Sequence, residues 1–259
     1  MNDINCPIYL INLKENEKGL IRTLRELRKL DVFKNIQIVE AVNKEEAKKD
    51  ACKYITHEAY DNITNNLKST NTLPTWGAVG CALSHKNCWE DMISKNFNVA
   101  IICEDDIKIN DKNKFKYAFY KSLYKTINYS QSILTTFNSI VNTTYYGGLI
   151  NGSFTGTSCY MINKKCAVNL LKIFPIKEQF DLEIGKKKYD IDIDIYNVTN
   201  KISSVTNYEH ISSVQYYFIE LEFLLECLRI KLPNEIIEKI YYYTLKKSDL
   251  ISTSNYGYY

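Results

Sequence analysis

The sequence predicts an α/β fold, a doubly wound sheet flanked by helices and followed by further helices at its C-terminal end. Three observations carry this reading. The chain opens with a strand–helix–strand pattern. Its middle holds a short, wholly apolar run, Val99-Ala100-Ile101-Ile102-Cys103, that stops at three carboxylates, Glu104, Asp105 and Asp106. A basic helical pattern over 112–126 is followed by a further strand pattern at 131–136.

The first strand is Ile8-Tyr9-Leu10-Ile11-Asn12-Leu13. A helix follows over 17–30, with Leu20, Leu24, Leu27 and Leu30 as its apolar stripe and Arg22, Arg25, Arg28 and Lys29 mostly outside. Residues 36–42 form the second strand. The stretch 44–72 is polar and irregular, with Lys44-Glu45-Glu46 opening a short helix. It reads equally as a cover over a substrate site or as a surface excursion. Gly77 and Gly80 then lead into an amphipathic helix carrying Val79, Ala82, Leu83, Trp89 and Ile93.

The run 99–103 reads as an interior strand of a parallel sheet, covered on both faces. In open α/β sheets, ligands bind beyond the carboxyl ends of such strands. Three adjacent carboxylates repel one another unless a cation offsets them. An all-oxygen cluster points to Mg²⁺ or Mn²⁺, shared with a phosphate-bearing ligand. Cys81, His85 and Cys88 also share a helix face. A structural zinc site wants four ligands, and no further candidate is near in sequence, so a core helix with buried cysteines is the expected reading.

Beyond the triplet, 112–126 predicts a basic helix interleaved with Tyr and Phe, and 131–136 a strand. Residues 145–152 are rich in turn formers and suit an acceptor loop. After the 154–162 strand comes a helix over 164–173, then Pro175 and Phe180-Asp181. The alternation of Asp190, Asp192 and Asp194 with isoleucines predicts a strand with one acidic face.

Gly80-Cys81-Ala82-Leu83-Ser84-His85, a tryptophan soon after, and the strand ending Glu104-Asp105-Asp106 together resemble glycosyltransferase family 25. That family includes bacterial lipooligosaccharide galactosyltransferases and the collagen galactosyltransferases. Phe154 to Ile162 is similar to its Gly-Thr-x-x-Tyr-x-Ile strand, and the resemblance spans about residues 6–210. It implies a GT-A type, nucleotide-sugar-binding mixed sheet of the Rossmann-like kind. The implied donor is UDP-galactose or UDP-glucose and the cofactor Mn²⁺ or Mg²⁺. The implied donor-binding residues are Asn12, Ser84, His85, Glu104, Asp105, Gly156 and Thr157, with Asp106 and Glu104 as metal ligands. Asp181 matches the aspartate closing the family's proline-containing segment and is the expected catalytic base. A single displacement needs such a carboxylate to take the acceptor's proton. Paired carboxylates also suit glycoside hydrolysis, but three in a row at a strand end favour a metal.

The chain departs from the family in three places. Lys14 to Gly19 replaces a basic segment ending in Asp-Arg, leaving Arg22 or Lys18 to substitute. Ala78 stands where a glutamate is usual, and no aspartate precedes Gln131. These departures support a rival reading, a degenerate transferase fold kept as a binding or adaptor module. A nucleotidyltransferase is the second rival, and it lacks a Gly-rich basic phosphate loop.

The expected division is a transferase domain over 1–210 and a helical extension over 211–259. Ser212-Ser213 caps one helix of the extension, and Pro233 sits in the first turn of another. Leu232 to Ile237 looks like the opening of an F-box-like helix. The extension reads as a helix packed on the domain, or as a docking segment for a protein partner. The net charge of +3 gives no argument for nucleic acid. The eight cysteines form no CxxC pair and, without a secretory signal, predict a reduced, cytoplasmic setting. No apolar stretch is long enough to span a bilayer. The 21 tyrosines, with abundant Asn, Ile and Lys, read as codon bias of an AT-rich genome, as in a giant virus or a low-GC bacterium.

Overall fold

The computed structural model describes residues 6–33, 35–65, 73–138, 149–152, 154, 156–198 and 203–205. The expected C-terminal helices, with the F-box-like run, lie outside them. Strand β1 (Ile8–Asn12), helix α1 (Glu17–Arg28) and strand β2 (Ile36–Glu40) form the predicted opening unit. Asn16 caps α1 by accepting from the Gly19 N–H. The stretch after β2 is helical rather than irregular, with α2 (Lys44–Lys49), α3 (Ala51–Tyr54) and α4 (His57–Thr64). Asn43 and Glu46 form a reciprocal capping box on α2. Ala47, Ala51, Ile55 and Ala59 face the core at every fourth position, but three of the four are alanines and give a weak hydrophobic signal.

Helix α5 (Trp76–Ser94) contains both glycines that were expected to precede it. Thr75 caps it through the Ala78 N–H. Gly80 has a packing role, because a Cβ there would meet the Val42 carbonyl oxygen at 2.3 Å. Strand β3 (Val99–Glu104) ends at the acidic triplet, and Asp105 and Asp106 make the turn into β4 (Ile107–Ile109). Then come α6 (Lys112–Asn128), β5 (Ile133–Thr136), β6 (Leu149–Asn151), β7 (Cys159–Asn163), α7 (Lys164–Leu170), α8 (Phe180–Lys187), β8 (Asp194–Val198) and β9 (Ser203–Val205).

Among the described residues, seven strands form one sheet in the order β2-β1-β3-β7-β5-β8-β6, while β4 and β9 pair as a separate antiparallel ribbon. The sheet is mixed. β1 is parallel to β2 and β3, whereas β7 is antiparallel to both β3 and β5. β3 is therefore interior as expected, yet parallel on one side only. Its apolar run reflects helices on both faces, and strand direction leaves no trace in it.

Alternation along the strands sorts their side chains between two cores. Ile8, Leu10, Ile101, Cys103 and Met161 pack under α1 and α6, with Leu27, Phe115 and Phe119. Tyr9, Ile102, Tyr160 and Ile162 pack under α5, α7 and α8, with Trp89, Leu170 and Phe180. Each fully buried large apolar side chain contributes about 1.5–3 kcal/mol. The strand expected around Asp190 starts only at Asp194, because Asp192 takes a left-handed turn at φ 53°. No helix among the described residues is long and apolar enough to cross a membrane.

Candidate active site

The two-residue period of β3 places Glu104 on the α5 side with Ala100 and Ile102. There it meets His85, whose Nε2 lies 3.3 Å from Glu104 Oε1. His85 Nδ1 lies 2.8 Å from the Tyr160 hydroxyl, which accepts the Trp89 Nε1–H at 2.9 Å. One proton arrangement satisfies this chain throughout: Trp89 donates to Tyr160, Tyr160 donates to His85 Nδ1, and the Nε2–H donates to Glu104. Phe180, with its ring centroid 4.7 Å from the imidazole, packs beside His85. Burial works to raise the Glu104 carboxyl, but the His85 contact and the Thr157 hydroxyl outweigh it and leave it lowered.

Asp105 turns the other way, toward α1. Its Oδ2 accepts from Asn16 Nδ2 at 2.8 Å. Its backbone carbonyl accepts from Thr23 Oγ1 at 2.7 Å and from the Arg22 guanidinium at 3.4 Å. Arg22 thus reaches the triplet, while Lys18 stays on the exposed face of α1. Burial and the neighbouring Glu104 charge push the Asp105 carboxyl up to about 6, against the pull of Asn16 and Arg22. Asp106 is raised further by burial and by the charges of Glu104 and Asp105, with Arg22 opposing. Carboxylates crowded into this state resist ionising together, and a hard divalent cation would remove that cost. The oxygen donors present fit Mg²⁺ or Mn²⁺.

Asp181, at the start of α8, arrives from a separate segment. Its Oδ2 accepts the Gly156 N–H at 3.1 Å and its Oδ1 accepts from Leu182 N at 2.9 Å. Burial raises its carboxyl above the ordinary range, with the Glu104 charge adding to the shift. Thr157, next after Gly156, donates its hydroxyl to Glu104 Oε1. Gly156 and Thr157 were expected to touch a donor directly, whereas here they tie Asp181 and Glu104 together. Gly156 has φ 76°, a left-handed conformation that glycine accepts without strain.

The other expected donor residues separate into two groups. Asn12 ends β1 almost fully buried. Its Nδ2 donates to the Leu13 carbonyl at 2.7 Å, and its Oδ1 has no hydrogen-bond partner among the described residues. Ser84 is completely buried, donates to the Gly80 carbonyl at 2.7 Å and accepts the Val42 N–H at 2.8 Å. Both of its hydrogen-bonding directions serve the backbone, so it ties α5 to the end of β2 and offers nothing to a ligand. His85 is equally buried and acts on Glu104.

Cys81 is the functional candidate that sequence reasoning set aside. It sits one helical turn before His85, beside Thr157 and within the fields of Glu104, Asp181 and Asp106, and burial holds its thiol well above the usual range. Cys88, grouped with it on spacing, is fully buried and feels the Asp91 charge instead.

The profile of glycosyltransferase family 25 (LPS biosynthesis protein) matches residues 5–184. The chain belongs to this family. It is 29% identical over 118 residues to human procollagen galactosyltransferase 2, a match covering 46% of this chain and 17% of that protein. It is 26% identical over 104 residues to the mouse inactive glycosyltransferase 25 family member 3, covering 40% of this chain and again 17% of the relative. The matches with these curated relatives thus span about a sixth of their length. Among solved structures, a mutant Drosophila β-1,4-galactosyltransferase 7 in complex with manganese, UDP-Gal and xylobiose overlaps with a TM-score of 0.43 at 8% identity. That overlap covers 84% of this chain and 78% of the other.

Proposed function

We propose that this family 25 chain transfers a hexose, galactose or glucose, from a UDP-sugar to a hydroxyl of a glycan or a hydroxylated protein side chain. The reaction is a metal-assisted, inverting single displacement. The observation that carries this reading is that consecutive residues, Gly156 and Thr157, hold carboxylates from two distant segments, Asp181 and Glu104, in one cluster. Asn12 Oδ1, buried and without a donor among the described residues, accepts an N–H of the donor's base. Asp105, fixed by Asn16, faces the ribose. Asp106 and Glu104 would hold Mn²⁺ or Mg²⁺, whose positive charge would offset the negative charge growing on the departing diphosphate. Asp181 takes the proton of the attacking hydroxyl, and its raised carboxyl brings it toward the basicity that this task needs. His85 and Thr157 orient Glu104, and Ser84 positions α5. In this reading residues 1–210 are the transferase domain and 211–259 its helical extension, available to a protein partner.

A second reading is favoured by Ala78 and by the similarity to an inactive family member: a transferase fold retained for binding. Two variants separate them. Asp106→Ala is expected to abolish metal-dependent donor binding. Asp181→Ala is expected to keep donor binding and lower transfer by about 10²–10⁴-fold, the usual range for a general base. Equal transfer by both variants and the parent protein would overturn the site assignment. Donor binding without transfer in the parent, across a panel of glycan and hydroxylated peptide acceptors, would favour the binding module.

A further inference from the structure

Beside the all-oxygen triplet lies a second group of different chemistry. The ligand atoms of Cys81, His85 and Glu104 all lie within 4.8 Å of one another. Cys81 and His85 are one turn apart on α5, so both side chains leave the same helix face. Glu104 meets them from the end of β3.

We propose that Cys81, His85 and Glu104 form a site for a borderline-soft divalent cation of the zinc class, with one coordination position left open. A thiolate, an imidazole and a carboxylate are the ligand types zinc takes, and three protein ligands plus an open position is its catalytic-type arrangement. The hard cations suited to the carboxylate triplet have little use for sulfur. The supporting contacts are already in place. A histidine that ligates zinc through one nitrogen normally gives its other ring N–H to a fixed partner. Here Nδ1 lies 2.8 Å from the buried Tyr160 hydroxyl, itself held by Trp89. Thr157 donates to Glu104, orienting that ligand, and lies beside the Cys81 thiol. Binding changes the proton inventory in a defined way. Cys81 loses its thiol proton to solvent, and the imidazole proton moves from Nε2 to Nδ1, so that the Tyr160 hydroxyl turns from donor to acceptor while the Nε2 lone pair meets the metal. Glu104 is common to both groups, so a zinc ion here withdraws a carboxylate from a hard cation at the triplet. That last consequence alone rests on the transferase reading; the site itself does not.

The test uses the full chain and two probes. With Zn²⁺ at one equivalent, X-ray absorption is expected to show one sulfur scatterer at ~2.3 Å together with nitrogen and oxygen. With Co²⁺, a thiolate-to-metal charge-transfer band is expected, and added Zn²⁺ should bleach it. Cys81→Ser should remove the band and weaken Co²⁺ binding by about 10-fold or more. Should that variant not fold, Cys81→Ala serves in its place. Cys52→Ser, at an exposed thiol, and Asp106→Ala should both keep the band. A zinc shell without sulfur, or a cobalt band that survives loss of Cys81, would overturn the proposal. Failure of the parent protein to bind any nucleotide in the presence of Mn²⁺, with the band retained, would instead count against the transferase reading alone.

Discussion

Gly156 donates its backbone N–H to Asp181 Oδ2 at 3.1 Å. The same short loop, through Thr157, fixes Glu104. The separation between the proposed base and the proposed metal ligand is therefore set by one peptide unit at the entry to β7. A loop built this way tolerates little change.

Gly156→Ala tests that dependence. The backbone sits at φ 76°, and an added Cβ would lie 2.9 Å from Asn138 Nδ2. Asn138 cannot easily give way, since it accepts from Thr136 and donates to Ser158, each at 2.7 Å. A left-handed alanine costs about 1–2 kcal/mol. Thermal unfolding should show that loss. Transfer should fall further than stability does, while donor binding persists. Parent-like turnover would show that the loop does not position Asp181.

Tyr160→Phe tests the buried network behind Glu104. Removing the hydroxyl leaves the Trp89 Nε1–H and His85 Nδ1 without their partner in a fully buried setting. Leaving buried polar groups unsatisfied costs about 1–3 kcal/mol, and denaturant unfolding measures it directly. A change within about 0.5 kcal/mol, the range of a neutral surface substitution, would contradict the network described.

Much of this arrangement was legible in the sequence. The apolar run 99–103 and its acidic stop placed the three carboxylates at the end of β3, and strand parity then dictates that Glu104 and Asp105 face opposite layers. The family motif brought in Asp181. What the sequence could not show was third-party contact. Ser84 reads as a ligand hydroxyl until Val42 is seen to use it. Cys81 reads as core because its partner Glu104 lies on another element, and helix spacing groups it equally with Cys88. The short helix expected to open at Lys44 is α2, whereas α3 and α4 escaped notice because alanines supply much of their apolar face, and alanine leaves a weak periodic signal.

The raised acids make a pH prediction with a definite sign. Asp105 binds its proton more tightly in the folded protein than in the unfolded chain. Its contribution to stability is present below the ordinary value of 3.8 and is lost as pH rises through about 6. Asp106 and Asp181 act in the same direction, whereas Glu104, with its lowered carboxyl, contributes stability that is lost toward the acid end. The metal-free protein should therefore melt at a lower temperature at neutral pH than near pH 5. Mn²⁺ should raise the melting temperature at neutral pH and shrink the difference. A metal-free melting temperature that rises from pH 5 to neutrality would contradict this account of the triplet.

The central claim is a nucleotide-sugar site that needs a hard cation. Calorimetric titration of the full chain with UDP, GDP and CMP, with and without Mn²⁺, tests it most directly. The account predicts saturable UDP binding in the micromolar range that requires the metal, with GDP and CMP binding more weakly. Failure of every nucleotide to bind in the presence of Mn²⁺, or UDP binding of equal strength without it, would contradict the account.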